Sequence, residues 1–231
     1  MTGRTLGLAV LLPLLAGLPA AHAGPSATIE QAGDGTAAID QRGTRDSVAV
    51  IEQADGGGNR AEVVQDGSGH DAAVAQRGSG NAAEVAQSGS GHRAVVGQDG
   101  DGSTGLLDQS GRNHEAVLTQ DGGSFARIDQ SGGGHRVLLD QTGGAEADVR
   151  QSGSGNSVDG VQDGAGTRLR VDQDGDSNVV VARQQGGGNV LEVDQTGGGN
   201  RVDYTQVGSG LTAPAIVQSG GAQVTVVQTA P

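Results

Sequence analysis

The stretch that decides the fold is QRGSGNAAEVAQ, residues 76–87. Its final glutamine is preceded at alternate positions by the small or aliphatic side chains Ala83 and Val85. Alternation of this kind is typical of a β-strand with one buried face and one solvated face. The opening Gln-x-Gly and the following asparagine are turn residues, since glycine and asparagine tolerate positive φ. The stretch therefore predicts a turn followed by a strand.

The same unit recurs along the whole chain, mostly every eleven residues and occasionally every ten or twelve. A glycine stands two positions after every recurring glutamine before the C-terminus, except after Gln53, where Asp55 takes its place. Helix is excluded, because glycines at this density would break any helical segment. The predicted structural glutamines are Gln65, Gln76, Gln87, Gln98, Gln109, Gln120, Gln130, Gln141, Gln151, Gln162, Gln173, Gln184, Gln195 and Gln206. The predicted turn glycines are Gly67, Gly78, Gly89, Gly100, Gly111, Gly122, Gly132, Gly143, Gly153, Gly164, Gly175, Gly186, Gly197 and Gly208.

Each recurring glutamine shares the inward face of its strand with the aliphatic residues. A buried amide needs hydrogen-bond partners, and stacking glutamine over glutamine at about 4.7–4.8 Å supplies them. We therefore predict an all-β fold, a β-solenoid of strand-turn-strand coils with about 22 residues each, over residues 27–228. Ala126 and Ile128 keep the inward pattern before Gln130 despite a ten-residue spacing, so the turns absorb the differences in length.

Residues 1–23 have the features of a secretory signal peptide. A positive charge at Arg4 precedes the apolar run Leu6–Leu18, and small residues favour cleavage after Ala23. A membrane anchor is the alternative, but the run is short and contains Pro13. The sequence therefore predicts an exported protein.

The remaining chain, residues 24–231, is predicted to be one solenoid domain. It contains no cysteine, so disulfides cannot stabilise it, and almost no aromatic side chains to fill a globular core. The net charge of −13 argues against binding to nucleic acid. No combination of side chains suggests catalysis or a cofactor, and nothing beyond residue 24 suggests insertion into a membrane.

These residues resemble the curlin repeat of bacterial curli subunits, in which Gln-x-Gly-x-x-Asn-x-Ala leads through three residues to another glutamine. Residues 76–87 fit this pattern, and residues 195–202 fit it with Val202 in place of the alanine. The resemblance covers about residues 27–228. It implies a solenoid that polymerises end to end into extracellular amyloid fibres, which serve in biofilm matrix, surface adhesion and cell aggregation.

The resemblance also implies partners and a location. The partners would be further copies of the chain, other curlin subunits and a curli-type secretion apparatus in the outer membrane, and the product would be a fimbrium-like fibre on the cell surface. The repeats begin close to the predicted cleavage site, and the C-terminus from Val224 lacks the basic ending of the minor nucleator. A major-type subunit is favoured over a nucleator, and the export route stays open.

Every second turn places a polar residue five positions after a glutamine. The predicted column comprises Asp46, His70, His92, His114, His135, Asn156, Asn178 and Asn200. A pH-sensitive or metal-binding edge is one interpretation. Substitution of histidine for asparagine in a tolerant turn is the favoured one, because a linear file does not converge on a tetrahedral ion.

Two other classes of protein compete with a fibre subunit. A monomeric secreted solenoid that binds calcium or a surface would need a capping element and a regular outward array, and neither is evident. Acidic turns such as residues 98–101 raise calcium, but the calcium β-roll has a nine-residue period. A disordered glycine-rich matrix protein is disfavoured by the strand alternation.

Overall fold

The computed structural model describes residues 24–230, and all regular structure in this range is β. The predicted signal peptide lies outside the described residues. Each strand follows the alternation read from the sequence, with aliphatic residues and the glutamine facing inward. The strands are β1 Ser26–Gln31, β2 Thr36–Arg45, β3 Val48–Ala54, β4 Arg60–Ser68, β5 Asp71–Arg77, β6 Ala82–Ser90, β7 Arg93–Asp99, β8 Thr104–Arg112, β9 Glu115–Asp121, β10 Phe125–Gly133, β11 Arg136–Thr142, β12 Glu146–Ser154, β13 Ser157–Asp163, β14 Arg168–Asp176, β15 Val179–Gln185, β16 Val190–Gly198, β17 Arg201–Val207, β18 Ile216–Ser219 and β19 Gln223–Thr229.

The strands form two parallel sheets. Odd-numbered strands make a 10-stranded sheet, here the odd sheet, and even-numbered strands make a 9-stranded sheet, here the even sheet. Each strand pairs with the strand two places along the chain, and glutamine pairs with glutamine, as Gln65 does with Gln87. One coil therefore consists of one strand from each sheet. The predicted β-solenoid is confirmed.

The core is a thin layer between the two sheets. It consists mainly of alanine, valine, leucine and isoleucine side chains and runs without a break from Ala49 to Ala213. Tyr204 is its only aromatic residue. Small side chains suffice because the backbone hydrogen bonds between coils hold the sheets, while the inward residues only exclude water between them.

Ten-residue spacings leave the strand register intact. In β10 and β12 the pairs Ala126 with Ala147 and Ile128 with Val149 are in register, and Ala126 and Ile128 are buried. The shorter repeats lose residues from the turns, as predicted.

The turns depend on glycine for two reasons. Every predicted turn glycine has a positive φ, such as 115° at Gly89. A Cβ atom added to Gly89 would lie 2.1 Å from the carbonyl oxygen of Gly111 in the next coil. Any side chain here would therefore force neighbouring coils apart.

Candidate functional site: stacked polar columns and open ends

Two continuous ladders of glutamine amides run through the core, one along each sheet. In the even sheet, each Nε2 from Gln41 to Gln195 donates to the Oε1 of the next glutamine, at 2.7–2.9 Å. In the odd sheet, the ladder extends from Gln53 to Gln228 at 2.8–3.1 Å. The structure places all the glutamines selected from the sequence in these ladders.

The amides also join the two sheets. Nε2 of Gln76, for example, donates a second bond to the carbonyl oxygen of Arg60, at 2.9 Å. Both N–H groups of the buried amide are thereby satisfied, which removes the cost of burying it. A nonpolar residue at this position would leave the glutamines above and below without partners.

Both ladders have a direction, because every amide donates toward the C-terminal end. At that end Nε2 of Gln228 has no acceptor among residues 24–230, while its Oε1 accepts from Gln206 at 3.1 Å. At the other end the buried Oε1 of Gln53 has no donor in the described chain. Gln31, one coil earlier, turns its Nε2 to the carbonyl oxygen of Gly35 at 2.6 Å instead.

The predicted histidines form a buried stack at one edge of the solenoid. Rings of successive histidines are nearly parallel, with centroids 4.8–5.0 Å apart. The backbone N–H of His114 donates to Nδ1 of His92 at 3.2 Å, and Nε2 of His114 lies 2.9 Å from the carbonyl oxygen of Ser110. These partners assign the neutral tautomer with its proton on Nε2. The stacked residues are His70, His92, His114 and His135.

Burial lowers the pKa of all four histidines because it penalises the charged ring. The pKa of His114 falls to about 4, with smaller contributions from His92 and His135 on either side. Among the described residues no three histidine, cysteine, aspartate or glutamate side chains converge to hold a metal ion. The column thus has the arrangement of a hydrogen-bonded structural element.

The inclusion of Asp46 in this column was wrong. Ser47 occupies the position, and its Oγ accepts the backbone N–H of His70 at 3.1 Å. The pairing of β2 with β4 shifts between Arg42 and Arg45, so the preceding turn is one residue longer than the count from Gln41 assumed. Asp46 lies in the turn itself, with a φ of 56°.

A second column stands in the turns of the opposite edge, and the sequence interpretation missed it. The backbone N–H of Asn81 donates to Oδ1 of Asn59 at 3.0 Å, and that of Ser103 donates to Oδ1 of Asn81 at 2.9 Å. The signal was available, because most of these residues also stand five positions after a glutamine. Its buried polar members are Asn59, Asn81, Ser103, Ser124, Thr167 and Asn189.

The outer faces of the two sheets differ. Exposed ion pairs are concentrated on the even sheet, such as Arg127 with Asp129 at 2.9 Å, and the odd sheet carries fewer of them, such as Arg136 with Glu115 at 3.0 Å. On the odd sheet the small outward residues Ala73, Ala75 and Val95 are buried between their neighbours. Exposed pairs contribute little to stability, so the columns and the core hold the coils together.

Parallel, in-register strands with continuous amide ladders define this fold as a stacked β-solenoid. Amyloid fibres use the same in-register stacking of strands, but between separate molecules. Residues 70–100 match the family model of the curlin associated repeat. This stretch spans β5, β6 and β7, so the chain carries the curlin repeat, and the same strand register continues on both sides of it. Comparison with curated proteins gave no match.

The repeat and the fold together point to a structural protein. The described residues include no helix that is long and apolar enough to cross a membrane.

Proposed function

We propose that this chain is a structural subunit of an extracellular, curli-like amyloid fibre that grows by end-to-end stacking of solenoids. One observation carries the proposal: the coils at the two ends offer complementary unpaired groups. Near the N-terminal end, in the strand that β1 covers, Oε1 of Gln53 is an acceptor without a donor in the described chain, and at the C-terminal end Nε2 of Gln228 is a donor without an acceptor among residues 24–230. The outermost strand of each sheet also pairs on one side only within the described chain.

The curlin repeat at residues 70–100 supports a proposal for the biological setting. We propose a major-type subunit that serves in biofilm matrix, adhesion and cell aggregation at the cell surface. Export would use residues 1–23 as a signal peptide and a curli-type outer-membrane apparatus, and other curlin subunits would be partners in the fibre. The continuous ladders support a role as a repeated building block of a fibre, since successive coils present the same glutamine amide to the next coil.

A matched pair of variants tests the end-to-end contact. Val226 faces inward in β19 and packs against the core, whereas Val227 next to it faces outward and is 67% exposed. A carboxylate at Val226 would be buried at every junction, where an unpaired charge is costly. We therefore expect Val226→Asp to abolish seeded elongation, measured by thioflavin fluorescence, and Val227→Asp to retain it.

Equal elongation by the two variants would contradict stacking through β19. The wild-type chain beginning at Gly24 provides the reference in both assays. If that chain remained monomeric at high concentration and gave no fibre reflection near ~4.7 Å, the fibre function itself would fail.

A further inference from the structure

The odd sheet has one strand more than the even sheet, and this difference restricts how two molecules can stack end to end. Among the described residues the first strand is β1 and the last is β19, and both belong to the odd sheet. If two intact molecules stacked end to end, β1 of one would cover β19 of the other. In the even sheet, β18 and the next β2 would then face each other across one vacant strand position, about 9.6 Å apart at two strand spacings. Both edges would stay unpaired.

Removing β1 from the incoming molecule eliminates the vacancy. The order along the fibre then runs from β18 and β19 of one molecule directly to β2 and β3 of the next. Strands of the even and odd sheets then alternate across the junction, as they do within one molecule. The coil repeat therefore continues across the junction without interruption.

Several contacts show that β1 pairs with β3 less favourably than interior strands pair with one another. The amide of Gln31 donates to the carbonyl oxygen of Gly35 in its own turn and not to Gln53, so the buried Oε1 of Gln53 is left without a donor in the described chain. Glu30 lies directly beside Glu52 in the strand register, and neighbouring like charges destabilise a sheet. The inward side chain of Ile29 remains 46% exposed.

Strand β19 has side chains that fit against β3 better than those of β1. With Gln228 in register on Gln53, Val226 would pack on Ile51, and Val227 would stand beside Glu52 where Glu30 now stands. Because Oε1 of Gln228 already accepts from Gln206, its Nε2 is the donor left at the end of the ladder, and Oε1 of Gln53 would be the acceptor that follows. Docking would thus satisfy the orphaned atom at each end and remove the repulsion between the carboxylates.

In the even sheet the same step would place Gln218 on Gln41. Nε2 of Gln218 now donates to the carbonyl oxygens of Arg201 and Ala222, both at 3.1 Å. Interior glutamines also donate one N–H to a backbone carbonyl oxygen of the other sheet, as Gln218 does to Arg201. They donate the other N–H to Oε1 of the next glutamine, whereas Gln218 donates it to Ala222. Gln41 would supply that acceptor, so both ladders would become continuous.

We infer that β1 is a displaceable strand. In the free molecule it covers β3, and in the fibre β19 of the preceding copy takes its place while β18 pairs with β2. The inference rests on the proposed fibre function and names the contact through which it occurs. β1 therefore restrains assembly until a second copy of the chain displaces it.

A reversible lock tests the displacement. Thr28 and Val50 are register partners on the outer side of β1 and β3, and the chain contains no cysteine of its own. Neighbouring strands lie at a separation that disulfides accept. Oxidised monomers of Thr28→Cys with Val50→Cys should lose seeded elongation, and reduction should restore it.

The matched control is a lock between two strands that stay paired in the fibre. Val117 and Leu138 are the equivalent outward partners in β9 and β11. Oxidised monomers of Val117→Cys with Leu138→Cys should elongate at the wild-type rate. A chain that begins at Thr36 and so lacks β1 should also elongate, at least as fast as the chain from Gly24.

The outcomes separate the two proposals. If the wild-type chain forms fibres and the oxidised β1–β3 lock elongates as fast as the control lock, the displacement is wrong and the fibre function stands. Failure of the chain from Thr36 to elongate would equally overturn it. If the wild-type chain forms no fibres, the fibre function fails and the displacement with it.

Discussion

The histidine and asparagine halves of one buried column make the same hydrogen bonds with different chemical groups. In the first half, Nδ1 of His135 accepts the backbone N–H of Asn156 at 3.1 Å. In the second half, Oδ1 of Asn156 accepts that of Asn178 at 2.9 Å. The donating nitrogen reaches a carbonyl oxygen four positions earlier in all four histidines and in two of the asparagines, as in Asn156 to Ser152 at 2.8 Å, whereas that of Asn178 reaches the carbonyl oxygen of Gly197 at 2.9 Å. The turn thus requires an acceptor and a donor at a fixed separation, and neutral histidine and asparagine both supply them.

The two halves differ in what acid does to them. A protonated Nδ1 would point a proton at a backbone N–H that now donates to it, so the bond would be lost. The histidine pKa values lie below the ordinary value of about 6.5, so the unfolded chain binds protons more readily than the native one does. The stability from these residues is present above pH ~6.5 and is lost as the pH falls toward 4.

Acidification should give the largest effect. For His114 alone, a pKa of about 4 corresponds to roughly 3 kcal/mol lost below that pH. We expect protection against hydrogen exchange, relative to the intrinsic rate at each pH, to fall at pH 4.5 more in β5, β7 and β9 than in β15 and β17. An equal loss of protection in both halves would contradict the distinction.

A histidine-free variant supplies the control for that comparison. Burial raises the pKa of Asp71, Asp108 and Asp140, and these carboxyl groups oppose the histidines because they gain stability as the pH falls. Replacing all four stacked histidines by asparagine leaves the carboxyl groups in place. In this variant the first half should no longer lose more stability in acid than the second, and a persistent excess loss there would assign the pH response to other groups.

The next effect concerns the bonds that the two halves share. His114→Leu and Asn178→Leu each remove one acceptor and one donor and leave buried backbone groups unpaired. At pH 7 each should lower the free energy of unfolding by about 1–3 kcal/mol, and by similar amounts. Denaturant titration of both variants measures this, and a loss confined to one half would show that the columns are not equivalent.

The smallest effect should come from the surface. Arg168 and Glu146 lie 2.7 Å apart in the asparagine half, but both side chains are exposed. Arg168→Gln should cost less than about 1 kcal/mol, and the cost should shrink in high salt. A larger loss of unfolding free energy would mean that surface charge, and not the buried column, causes the difference in stability between the two halves.

The regular spacing of the glutamines predicted the solenoid and its register. Sequence reasoning placed Asp46 in the column because a count from Gln41 assumes turns of constant length, and only the pairing of β2 with β4 reveals the extra residue. It also could not separate Gln31 from the other glutamines, because the local sequence is the same. Gln31 lies in the outermost strand of the odd sheet within the described chain, and such a position in the stack is not readable from the local sequence.

The most direct test of end-to-end assembly is solid-state NMR on fibres grown from two differently labelled populations of the chain. The account predicts intermolecular contacts between the C-terminal and N-terminal coils, above all between Val226 of one molecule and Ile51 of another. Fibres in which intermolecular contacts join only like coils, as lateral association would produce, would contradict it.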